Sequence, residues 1–396
     1  MSKVSAKQKH VRITNQNLII DTIRRHDNAT RSELSKLLKL SVPSVCTNVD
    51  QLVELGIVRE TEDDSTGVGR KASRLRLNMR YGYIISIDLS NPCITVALSD
   101  LKPEVISEVK FDLEQFETEQ LFGLLQEKIE ELLSRNELDA SRLLVISISV
   151  PGRVNNEAGM VQCGSYLQAL GNVDFRTPLE ERFGAKVQLQ KDINAAVIGE
   201  ISFGAAQGKD NAVFVSADVG VGLGIVLNGK LHSGSSHAAG EIEGYVMNAS
   251  GSAPEAEGEK MRLQQWTSVK ALVDAVQADI DAGVTCSING KADFNAIIQA
   301  TQAGDELCVK HVRQAARAIA VFVANMLYLL DLETVILGGG FVTLGSEYTG
   351  TVQAEVQRLR PGTTANIVNT GLKTKAVLLG GLSIGLETIF RDLLKE

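Results

Sequence analysis

The chain has 396 residues, of which 44 % are hydrophobic and 22 % charged, with 40 Lys+Arg against 48 Asp+Glu and a formal net charge of −8. This is an ordinary globular composition, which excludes wholesale disorder, at a length that calls for roughly two to four domains. No apolar run approaches the roughly 20 residues that cross a bilayer, and the opening MSKVSAKQKHVRITNQN lacks the apolar stretch of a secretory leader, so the cytoplasm is the expected location.

Charge is spread unevenly. Residues 1–80 hold 15 Lys+Arg and 9 Asp+Glu, a net +6, whereas residues 81–396 hold 25 and 39, a net −14. A basic head on an acidic body suits nucleic-acid binding by the head. The head divides into three apolar-periodic segments. NQNLIIDTIRRHD sets Leu18, Ile19 and Ile23 on one helical face. ATRSELSKLLKL opens with Thr30 and has Glu33 three residues on, a capping-box pattern, with Leu34, Leu37 and Leu38 as its apolar residues. SVPSVCTNVDQLVELG can be capped by Ser41, tolerates Pro43 in its first turn, turns Val45, Val49, Leu52 and Val53 inward and stops at Gly56. The short link at Leu40–Val42 forces a sharp angle, which makes a helix-turn-helix.

IVRE and RKASRLRLN then flank TEDDSTGVG, where Gly67 and Gly69 suit a hairpin turn. The pair reads as the wing of a winged helix. Arg70 and Lys71 sit at its tip, placed for phosphates or a minor groove. Pro43, Ser44, Thr47, Asn48 and Gln51 line the outer side of the third helix, placed to read base edges.

From Tyr81 the period changes. YGYIISIDLS, CITVALSD and EVISEVKFDL read as strands, and TEQLFGLLQEKIEELLSRN as a helix. RLLVISISVPG and KVQLQKD follow as strands, and INAAVIGEISFGAA as a helix. NAVFVSADVGVGLGIVLNGKL gives two strands about a glycine-rich turn, and helices dominate from Trp266 to Leu330. ETVILGGG reads as strand and turn, and KAVLLGGLSIGLETIF as strand and helix. Strand triplets followed by helices, given twice, imply two α/β lobes with a cleft between them. The five cysteines, Cys46, Cys93, Cys163, Cys286 and Cys308, are an odd number without CxxC and read as buried thiols.

The motifs SVPGRVNNEAG, LEERFGAKVQLQKDINAAVIGE, GVGLGIVLNGKL, HAAGEIEG and VILGGG, in this order and behind such a head, resemble the repressor branch of the ROK family. The resemblance implies a winged helix-turn-helix (residues 1–80) followed by an actin-like, ribonuclease H-like two-lobed body of the ATPase type. Residues 81–200 and 375–396 would form the first α/β lobe, and 201–374 the second, with dimerising helices. It implies a repressor of carbohydrate-metabolism genes that binds operator DNA as a homodimer or a dimer of dimers, with a sugar or sugar derivative as effector. The alternatives are a sugar kinase of the same family, or a repressor controlled by a protein partner.

Asp192 matches the family's catalytic aspartate, which also holds a sugar hydroxyl, and Glu241 its sugar-binding glutamate. Lys191 stands for the usual asparagine, and invites an effector with a negative group. Gln264 stands where a glutamate follows the family's zinc cysteines, and joins the implied sugar contacts. Both phosphate loops depart from the family pattern. Asp88-Leu89-Ser90-Asn91-Pro92 replaces Asp-x-Gly-Gly-Thr, and Asp218-Val219-Gly220 replaces Gly-Thr-Gly. The expectation is therefore no kinase activity, no catalytic residue and no cofactor. Residues 248–268 contain no cysteine and the five cysteines elsewhere do not form a zinc pattern, so no structural zinc is expected in the protein.

Overall fold

The computed structural model describes residues 3–26, 28–61, 73–113, 117–247 and 262–393. Arg70, Lys71 and most of the segment matching the family's zinc site lie outside them. The head comprises α1 (Lys3–Arg25), β1 (Ala29–Thr30), α2 (Arg31–Leu38), α3 (Val42–Glu54), β2 (Val58–Thr61) and β3 (Arg74–Leu77). Thr30 and Glu33 form the reciprocal capping box at α2, and Ser41 accepts the Ser44 amide at the start of α3. Gly56 takes φ +74°, the left-handed turn that ends α3. The strands pair antiparallel in the order β1-β3-β2, so the sheet packs beside the helical trio as a wing. Ile19, Ile20, Ile23, Leu34, Val45, Val49 and Leu52 are buried at its centre, whereas Leu18 and Leu37 face solvent.

The body holds β4 (Tyr83–Asp88), β5 (Cys93–Ser99), β6 (Ser107–Asp112), α4 (Thr118–Arg135), β7 (Leu143–Val150), β8 (Gly152–Asn155), β9 (Met160–Cys163), β10 (Asn172–Asp174), α5 (Arg176–Phe183), β11 (Lys186–Lys191) and α6 (Asp192–Phe203). It continues with β12 (Ala212–Ala217), β13 (Val221–Leu227), β14 (Lys230–Leu231), α7 (Gln264–Thr267), α8 (Val269–Asp281), α9 (Phe294–Gln302), α10 (Glu306–Leu330), β15 (Thr334–Gly338), α11 (Ser346–Leu359), β16 (Asn366–Asn369) and α12 (Ala376–Leu393). Two five-stranded sheets result, ordered β6-β5-β4-β7-β11 and β14-β13-β12-β15-β16. Each is an antiparallel meander of three strands followed by two parallel ones, so the second repeats the first. A small antiparallel sheet, β10-β9-β8, is set between β7 and α5. KAVLLGGLSIGLETIF, read above as strand and helix, is helix from Ala376 onward, and the last strand lies upstream at Asn366–Asn369.

The two sheets exchange helices. α6 follows the first sheet, yet its Ile193, Ala196 and Val197 pack with Phe214, Val226 and Ile336 of the second. α12 follows the second sheet, yet its Leu382 and Leu386 cluster with Ile84 and Val145 of the first. The exchanged helices cross where side chains are absent. A Cβ on Gly380 would collide with the Ala195 carbonyl, and one on Gly199 with that of Ala376. The same apolar cluster takes in Ile19, Leu52 and Leu75 of the head together with Ile84, Leu101 and Val145 of the first lobe and Ile389 and Phe390 of α12.

Candidate functional site

Two surfaces carry the residues singled out by sequence. On α3, Pro43 and Thr47 are exposed and Ser44 is half-buried. Asn48 and Gln51 turn elsewhere. Asn48 is only 6 % exposed and donates to the Ser44 carbonyl, and Gln51 accepts from the buried Gln16 of α1 at 2.8 Å. The outward ridge of α3 is therefore Val42, Pro43, Ser44 and Thr47, with Val42 supplying apolar contact that the sequence reading omitted. Arg31 pairs with Asp50 of α3 and Glu60 of β2, and Arg74 donates to the Asn28 carbonyl. These cations fasten the wing to the helices.

The second surface is the cleft between the sheets. Lys191 ends β11 and Asp192 begins α6, so both emerge at the carboxyl edge of the first sheet, the usual place for ligands in open α/β sheets. Glu241 arrives from the other side, on the loop after β14. Gly240 fixes that loop: its φ is +83°, its carbonyl accepts from Leu223 N, and a Cβ there would strike the Leu223 carbonyl. Lys191 Nζ forms an ion pair with Glu241 Oε1 across the cleft. Lys191 thus has a carboxylate partner within the cleft. Gln264 opens α7, and among the described residues no hydrogen bond joins it to Lys191, Asp192 or Glu241.

Asp192 accepts from the Ile193 amide at 2.7 Å. Burial raises its pKa, and Glu241 adds to the rise against the pull of Lys191. Burial likewise lifts Asp88 to about 6, with Asp192 contributing. Three carboxylates therefore converge against one lysine. Such a site offers acceptors to hydroxyl donors and repels phosphate.

The first-hairpin turns of the two sheets are closed by the protein's own side chains. In residues 88–92, Asp88 accepts from Ser90 N at 2.8 Å. Tyr166 reaches in from the segment after β9 and donates to the carbonyls of Leu89 or Asn91, at 2.9 and 2.7 Å. The turn thus presents carbonyls where a phosphate needs amides. In residues 218–220, Asp218 takes the amides itself, Oδ1 from Val219 and Oδ2 from Gly340 at 2.9 and 2.8 Å. Gly340 ends the GGG run after β15, so the glycine amide that would meet an anion already meets a carboxylate. Sequence reasoning missed Tyr166, which carries no local signal because its partners lie more than seventy residues away.

Comparison with known proteins agrees with this anatomy. The chain is 27 % identical over 379 residues to the xylose repressor of Caldicellulosiruptor bescii, covering 93 % of this chain and 94 % of that protein. It is 25 % identical over 331 residues to the DNA-binding transcriptional repressor Mlc of Escherichia coli K12, covering 83 % and 81 %. Among solved structures, a ROK family transcriptional regulator described as a homolog of E. coli MLC superposes with a TM-score of 0.84 at 25 % identity, covering 98 % of both chains. A glucokinase from Streptomyces griseus in complex with glucose and AMPPNP shares the fold of the body, with a TM-score of 0.64 at 22 % identity over 77 % of this chain and 100 % of that one. The ROK family model itself matches residues 84–386, the whole two-lobed body, and the chain belongs to the ROK family.

Proposed function

We propose that the chain is a transcriptional repressor of carbohydrate-metabolism genes whose hold on operator DNA is set by a sugar or sugar derivative in the cleft. Residues 1–80 are the DNA-binding unit. Residues 81–200 with 375–396 form the first lobe, and 201–374 the second, whose helices pair two copies. Pro43, Ser44 and Thr47 face base edges, and Arg70 and Lys71 face phosphates. Asp192, Glu241 and Lys191 meet the sugar.

One observation carries the reading: a single apolar cluster joins the head core, the first sheet and α12, and α12 crosses α6, whose first residue is Asp192. A hydroxyl bound at Asp192 and Glu241 competes with the Lys191–Glu241 bridge that spans the cleft. Any change in lobe angle passes through the α6–α12 crossing to the elements that seat the head. Such a ligand shifts the population of lobe arrangements by its difference in affinity for them. The names of the repressor relatives support this assignment.

The protein does not phosphorylate its ligand in this reading. Phosphoryl transfer depends on positioning and electrostatics, and Tyr166 and Asp218 occupy both turns that would hold a triphosphate. The test is a thermal-shift screen of neutral sugars, sugar phosphates and amino sugars, followed by operator binding with each hit. A neutral sugar should raise the melting temperature and change DNA affinity. ATP-dependent phosphorylation of any sugar would overturn the reading in favour of a kinase. If no sugar acts, control by a protein partner replaces it.

A further inference from the structure

Far from the cleft, the loop between α8 and α9 meets the start of α10, and three potential ligands converge. Cys286, from the loop, lies with its Sγ 4.0 Å from Sγ of Cys308 in the first turn of α10. Asp305, the cap of α10, brings Oδ1 to 3.7 Å from Cys286 Sγ. The ligand atoms of all three lie within 4.8 Å of one another, the one such group among the described residues. The geometry points to a binding site for a single thiophilic divalent cation of the zinc class, held by Cys286, Cys308 and Asp305 with one position left for water.

The spacings support a metal over a disulfide. A tetrahedral ion with metal–sulfur bonds of about 2.3 Å and a metal–oxygen bond of about 2.0 Å sets its two sulfurs roughly 3.8 Å apart and sulfur from oxygen roughly 3.5 Å. The two edges that meet at Cys286, 4.0 and 3.7 Å, fall a few tenths of an ångström outside those values, and the third lies within 4.8 Å. A disulfide instead needs the sulfurs at about 2.05 Å.

The outer groups also suit an anionic ligand set. Ile288 N points at Cys286 Sγ at 3.5 Å, and Ser287 N and Cys308 N donate to Asp305. With the amino end of α10, they offset the one negative charge left when two thiolates and a carboxylate bind a dication. Thiols give up their protons when they ligate a metal, so affinity rises with pH. The site would clip the loop to α10 and is separate from residues 248–268.

The full-length protein, stripped with chelator and kept reduced, is titrated with Co²⁺ and then Zn²⁺. One equivalent of Co²⁺ should give thiolate charge-transfer and tetrahedral visible bands that Zn²⁺ bleaches. Cys286→Ser, a change at a half-buried loop position, and Asp305→Asn, which keeps the helix cap, should each abolish the bands while melting as folded proteins. Cys93→Ser should retain them. Absence of the bands in the parent protein, their survival in Cys286→Ser, or a 286–308 disulfide in the protein purified under reducing conditions overturns the site.

Discussion

The two five-stranded sheets share one strand order but close their first turn by opposite chemistry. In the first, the turn at 88–92 has no glycine, gives its Ser90 amide to Asp88 and also receives a donor, the Tyr166 hydroxyl, on its carbonyls. In the second, the turn at 218–220 and the nearby Gly340 keep free amides and receive an acceptor, the Asp218 carboxylate. In both turns the amides that could meet an anion, Ser90 N in the first and Val219 N and Gly340 N in the second, already meet a carboxylate. The difference teaches that a turn's polar groups can be satisfied from within by a distant hydroxyl or by a carboxylate of the turn itself.

The comparison breaks most completely where the halves exchange helices. Gly380→Val forces a branched side chain against the Ala195 carbonyl and the Gly199 amide. It should cost about 3 kcal/mol, read as a lower urea midpoint for the whole body.

Next in size is a contrast between the heads of the exchanged helices. α6 begins with Asp192, whereas α12 begins with Ala376. Asp192→Asn replaces a charged acceptor by an amide and should weaken effector binding about 10- to 100-fold in calorimetry, with effector-free DNA affinity unchanged. Unchanged sugar affinity would remove Asp192 from the site.

A smaller pair of changes sharpens the contrast between the turns. Asp218→Ala strands the Gly340 and Val219 amides and should cost about 1–2 kcal/mol, and Tyr166→Phe about 1 kcal/mol. Inorganic tripolyphosphate should raise the melting temperature of Asp218→Ala alone, because only that turn regains free amides.

A further effect depends on pH. Folding raises Asp88 from 3.8 to about 6. Its protonated form is favoured in the fold, so the contribution is full below the ordinary carboxylate value and lost as pH rises through about 6. Asp88→Asn should therefore stabilise by up to about 3 kcal/mol near pH 8 and by nothing below about pH 4, measured by denaturation at each pH.

Local chemistry is legible in the sequence, and facing is not. The Thr30–Glu33 box, the Ser41 cap and the stop at Gly56 depend on neighbours within three residues, and each forms as the sequence indicates. Helical periodicity sets Asn48 outside and Leu18 inside, but the direction a helix faces is decided by what packs on it. α1 and α3 bury Asn48 and leave Leu18 outside. KAVLLGG reads as a strand because branched residues run into glycines. Gly380 instead admits the backbone of α6, a contact between segments almost two hundred residues apart, and Gly381 admits Ser86 of the first sheet. In the cleft, Lys191, Asp192 and Glu241 are each legible from their motifs, whereas the bridge between Lys191 and Glu241 exists only once two lobes meet.

The cluster that seats the head includes Leu382, Leu386, Ile389 and Phe390, all from α12. The head is thus sealed to the body by an element synthesised long after it. A growing chain can fold its three-helix head early, since its own core is local. It completes the cluster shared by head and body only after α12 has left the ribosome. Partial products of synthesis, and copies lacking α12, would carry a folded head on a seat missing its last wall.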